Sequence, residues 1–108
     1  MVTATHDNSP VIIVSRASAS HAILMLGALA DAYRREGELG TAAALEHSRG
    51  ALSEAIAGSA GTRVAVAAPM ASGASADLLA GADRYGADRE FAVRLRRAAR
   101  RLSRDRAT

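Results

Sequence analysis

A quarter of this chain is alanine, 27 of 108 residues, and that one fact constrains the fold more than any other. Alanine is the best helix former, yet it contributes little area to a core at roughly 25 cal/mol per Å² buried. The only aromatics are Tyr33, Tyr85 and Phe91. Such a chain makes helices readily and holds them together weakly, so burial against a second copy or another protein is a natural remedy. The length fits one domain. A mainly α fold is expected, with a polar, flexible N-terminus over 1–9. A single helical domain over 10–108 follows, ending in an Arg-rich amphipathic helix over 88–103.

Local signals divide the chain as follows. Val11 to Val14 is short, β-branched and apolar, and reads as a strand. Residues 17–36 read as a helix capped by Ser18 or Ser20, with Gly37 as its left-handed stop. Thr62 to Ala67 alternates and reads as a second strand, so 11–14 and 62–67 together suggest a two-stranded β ribbon. Pro69 to Ser75 reads as a flexible connector, and 76–85 as a short helix capped by Ser75 and stopped by Gly86. Asp88 is placed to cap the last helix, whose apolar face is Phe91, Leu95, Ala98 and Leu102. No internal repeat is evident.

Residues 39–57 are helical in one piece or two. One continuous helix sets Arg49 in a stripe with Ala42, Leu45, Leu52 and Ile56, which is costly unless Arg49 is paired or snorkels. Gly50 weakens a helix interior by about 1 kcal/mol relative to Ala. Both points favour a break near His47–Gly50.

Charge is distributed unevenly. All 14 basic residues are arginine, a usage that a high-GC genome explains by itself. From Arg84 onward the chain carries a net +6, and before it a net −3. A basic tail on an acidic body suggests an anionic partner. A tail folded back onto the body is the structural alternative.

The segment from Thr41 to Ile56 resembles the helix-turn-helix of LysR-type transcription regulators. Ala42, Leu45, Ser48, Ala51, Leu52, Ser53 and Ile56 match that pattern in register, and the helix over 26–36 precedes it as in that family. His47, where that family has an apolar residue, and Gly50 depart from it. The stretch that normally follows is replaced by Gly58–Gly61. The resemblance implies a small DNA-binding transcriptional regulator, dimeric, with double-stranded DNA as partner. In it Ser48 caps the recognition helix at Gly50, Arg49 and Ser53 face the major groove, and Arg63 lies in a wing near the backbone. Apart from that resemblance, Arg94, Arg96, Arg97, Arg100, Arg101 and Arg104 of the last helix are spaced to track a nucleic-acid backbone; an anionic membrane surface and a plain solvated face are the alternatives.

A competing pattern, Leu26, Leu29, Ala30, Tyr33, Gly37 and Ala42, resembles one tetratricopeptide-like hairpin. It implies a protein-interaction or adaptor module.

Other chemistry has little support. There is no cysteine, and His6, His21 and His47 have no metal-ligand spacing. No phosphate-loop lysine or nucleophile elbow is present, so no catalytic site and no cofactor are expected. The longest uncharged run, 17 to 30, is shorter than the roughly 20 residues of a membrane span. A cytoplasmic protein without membrane association is the expectation.

Overall fold

The computed structural model describes residues 10–105, so the expectation of a flexible segment over 1–9 lies outside the described residues. The fold is mainly helical with one small sheet. Its elements are β1 (Val11–Ser15), α1 (Arg16–Arg35), α2 (Leu39–Ala57), β2 (Arg63–Ala67), α3 (Ala68–Arg84) and α4 (Arg89–Asp105). The two strands pair antiparallel, as their alternation suggests, with Ile13 opposite Ala65 at the centre. Ile12 and Val14 of β1 and Val64 and Val66 of β2 face the helices; Val14 and the β2 pair are fully buried.

Three local expectations are corrected. The cap of α1 is Ser15, whose Oγ accepts from the Ser18 amide, so the helix starts directly off the strand. Residues 69–75 are no connector but the first turns of α3, where Pro69 sits in the first turn and gives up no helical hydrogen bond. Above all, α2 runs unbroken from Leu39 to Ala57, so the turn expected at 47–50 does not form. The physical reason is the packing of Arg49. Its methylenes lie over Gly27 of α1, where a Cβ would stand 3.4 Å from Arg49 Cδ. Its guanidinium reaches out to Glu46 at 2.8 Å. The arginine snorkels along the apolar stripe and keeps its charge in water, so the helix has no reason to break.

The second correction is larger. The element order β-α-α occurs twice, and the copies correspond residue by residue. Positions 10–35 match those 52 further on, giving Ala19 with Ala71, Ala22 with Ala74, Leu26 with Leu78, Ala30 with Ala82 and Tyr33 with Tyr85. The stretch from the tyrosine to the next helix is two residues shorter in the second copy, so α2 matches α4 at a spacing of 50: Ala42 with Ala92, Leu45 with Leu95 and Leu52 with Leu102. All of these except Tyr85, which packs against the core from its edge, are buried.

The copies are arranged about an approximate twofold axis. It passes between Ile13 and Ala65, which are counterparts and also pairing partners. The hydrogen bonds at the ends of the ribbon repeat the relation: the Arg16 amide donates to Thr62 O and the Ala68 amide to Pro10 O. So do those at the helix turns, where the amides of Glu38 and Asp88 donate to the carbonyls of Tyr33 and Tyr85, each at 3.0 Å. The Tyr33 and Tyr85 rings meet edge-on at 5.5 Å. In each copy the second helix packs on the other copy's strand, α2 on β2 and α4 on β1. Within one chain, the second unit thus does what a second copy would do for a core of small side chains.

Candidate nucleic-acid interface

Helix α4 carries half of the chain's arginines, seven of 14. Asp88 accepts from the Phe91 amide at 3.2 Å and starts it. Ala92, Leu95, Ala98, Ala99 and Leu102 face the core, and Ser75 of α3 donates to the Ala99 carbonyl. That burial consumes the whole apolar stripe of the helix. Outside lie Arg89, Glu90, Arg94, Arg97, Arg100 and Ser103, with Arg96 and Arg101 half-buried and Val93 the one large apolar residue exposed among them.

Pairing divides the arginines: among the described residues Arg35, Arg63 and Arg89, like Arg97, Arg100 and Arg101, have no carboxylate partner. Elsewhere in the chain most guanidiniums are held locally. Arg16 donates to Ser59 O and Gly61 O. Arg34 pairs with Asp31 and Glu46, and Arg49 with Glu46. Arg84 spans Glu36 and Glu38 and lies over both tyrosine rings. On α4, Glu90 holds Arg94 at 2.9 Å and Asp83 reaches Arg96 at 3.6 Å. Among the described residues no carboxylate pairs with Arg97, Arg100 or Arg101. The tail packs on the body without neutralising itself.

A histidine sits inside this field. His21, in the second turn of α1, is half-buried. Burial, followed by the charges of Arg101, Arg97 and Arg94, lowers its pKa below the ordinary 6.5. Its Nδ1 is buried with no hydrogen-bond partner. His21 belongs to the helix read over 17–36, whereas the arginines arrive from 73 to 80 residues further along.

The structure divides the residues singled out from the sequence. Arg97 and Arg101 lie on α4, Arg97 exposed and Arg101 half-buried, and their charges help to lower the His21 pKa. Ser48, Arg49, Gly50 and Ser53 lie within the continuous α2, where Ser48 caps nothing and Gly50 is a helix-interior residue. Arg63 opens β2 and is exposed. The stripe of the hairpin resemblance, Leu26, Leu29, Ala30 and Tyr33, is core.

Among the described residues, no helix is long and apolar enough to cross a membrane, and no three His, Asp or Glu side chains gather as a metal site. No family model, curated protein or solved structure matches the chain.

Proposed function

We propose that this protein binds double-stranded nucleic acid, DNA in the first place, through the sugar–phosphate backbone, using the arginine face of α4. The observation that carries the reading is the uncompensated row Arg97, Arg100 and Arg101 beside Arg94, on a helix whose apolar side is already buried. Arg94 to Arg101 spans about 10 Å at 1.5 Å per residue. That is the axial reach of about three phosphates on one strand at about 3.4 Å each.

The same facts weigh against the other anionic surfaces. A helix that lies in a membrane interface needs a free apolar face, and Phe91, Leu95 and Leu102 face the core. Single-stranded binding relies on exposed aromatic platforms, and the face has none. The adaptor reading loses the stripe it rested on, because Leu26 and Tyr33 are buried. Since α2 makes no turn at 47–50, the reading passes from the α2 residues to α4. Arginines spaced along a backbone give affinity without base readout.

The test is fluorescence anisotropy of a labelled random duplex over a range of salt. Contact with about three phosphates gives a slope of log K on log salt of about −2.7, from about −0.9 per contact. Absence of binding at low salt retires the proposal.

A further inference from the structure

We infer that the start of α4 and the end of α1 form two adjoining seats for phosphates of a duplex backbone, and that Glu90 stands between them as a built-in counter-ion which the bound strand displaces. This rests on the reading of α4 as a backbone-binding surface. It adds Arg35 and Arg89 to that surface and gives Glu90 a part in setting its affinity.

Two cavities meet there. One, of about 410 Å³, is lined by Arg89, Arg94 and Arg97 with Glu90 and Val93. The other, of about 370 Å³, lies between α1 and α4 and is lined by Arg35 and Arg94 with Glu90, Asp31, Asp88 and Phe91. Arg94 and Glu90 line both and are joined at 2.9 Å, so their ion pair is the shared wall. Four guanidiniums thus face three carboxylates, two of which are tied to other partners. Asp31 holds Arg34 at 2.5 Å, and Asp88 accepts from the Phe91 amide. Arg35, Arg89 and Arg97 have no carboxylate partner among the described residues.

The approximate twofold shows how much of this the fold itself requires. Ala28, Asp31 and Asp88 have counterparts of like kind in Ala80, Asp83 and Glu38. Arg35, Arg89, Arg94 and Arg97 have Ala87, Leu39, Ala44 and His47 instead, and Glu90 has Gly40. The other copy builds the same helices without the arginines, and where they are missing the carboxylate is missing too. A phosphodiester offers two charged oxygens, which guanidinium forks can hold from either side. The Glu90–Arg94 pair is exposed on both partners. Such a pair is worth at most about fivefold in an equilibrium constant, so a backbone phosphate can take Arg94 over.

The experiment is duplex anisotropy over a range of salt for the parent, Arg35→Ala, Glu90→Gln and Glu54→Gln. Glu54 is exposed on α2 and lines neither cavity, yet its substitution changes net charge as Glu90→Gln does. Glu90→Gln should bind up to about fivefold more tightly than the parent. Glu54→Gln should bind much as the parent does, because salt confines the effect of an exposed charge to its surroundings. Arg35→Ala should weaken binding to every duplex and make the slope of log K on log salt shallower by about 0.9. A gain from Glu90→Gln no larger than that from Glu54→Gln overturns the counter-ion, and an Arg35 variant that binds like the parent overturns the second seat. In both cases the parent binds and the proposed function stands. No duplex binding by the parent or by Glu90→Gln at low salt retires the function and the seats together.

Discussion

Leu29 lies against Gly81, its own counterpart 52 positions along the chain, at the point where α1 and α3 meet. A Cβ on Gly81 would stand 2.5 Å from Leu29 Cδ2, inside any real contact. One side of the axis supplies the bulk and the other the space. Leu29→Ala empties a fully buried site and should cost about 2–5 kcal/mol. Gly81→Leu alone forces two leucines into one space and should cost about 1–3 kcal/mol or more. The double variant, Leu29→Ala with Gly81→Leu, refills the space from the other helix and should recover most of the loss. Urea unfolding of the three variants measures it; a double variant as unstable as the sum of its parts denies the twofold relation.

Asp77 occupies the position that Met25 holds in the first copy. Met25 is buried, and burial pushes the Asp77 carboxyl above its ordinary pKa. A raised carboxyl pKa means that the ionised form is disfavoured in the folded state. The penalty is therefore fully present above the folded pKa and fades as pH falls towards the unfolded value. Asp77→Met should stabilise the protein at pH 7 by about 1 kcal/mol, with the gain shrinking in acid. Thermal unfolding at pH 7 and pH 4 reads both effects.

Much of the fold is legible locally. The strands at Val11 and Arg63, the stop at Gly37 and the cap at Asp88 each follow from a few adjacent residues. The rest depends on partners far away in sequence. Arg49 looked like a reason to break α2 because Gly27, which makes room for its stem, lies on another helix. Pro69 and its small neighbours read as a connector, although proline in a first turn is equally a helix start. The duplication hid behind alanine, whose matches carry little information in such a chain, and behind a spacing that changes from 52 to 50 at the turn. Of the residues singled out for binding, Arg97 and Arg101 lie on the charged face of α4, while those on α2 depend on a turn that the helix does not make.

Duplex binding separates the two helices directly. Arg97→Ala and Arg101→Ala should each weaken binding to every sequence alike and make the salt slope shallower by about one contact. Arg49→Ala should leave both unchanged, because its guanidinium is engaged with Glu46 on α2. Anisotropy at matched salt decides; a loss confined to the Arg49 variant would move the interface back to α2.

His21 also links stability to pH in the absence of any ligand. Its folded pKa lies below the ordinary 6.5, so between the two values the unfolded chain binds more protons. Stability therefore rises with pH across that window and is lost as pH falls below about 6.5. His21→Gln removes this contribution. The urea midpoint of the parent should fall from pH 8 to pH 5 by more than that of the variant, and parallel curves would show that neither burial nor the arginines lower the pKa of the ring.

Gly50 tests the continuity of α2 itself. It is exposed in the middle of the helix, its φ is not positive, and a Cβ there would meet nothing within 4 Å. Under these conditions alanine is free of strain and removes the entropic cost of a helix-interior glycine. Gly50→Ala should therefore stabilise the protein by about 1 kcal/mol and leave duplex binding unchanged. If a turn formed at 47–50, the same substitution would gain little and would disturb the second helix at its start. A rise in unfolding midpoint with unaltered binding supports one helix read by its packing; no gain, or a loss of binding, would restore the two-helix arrangement.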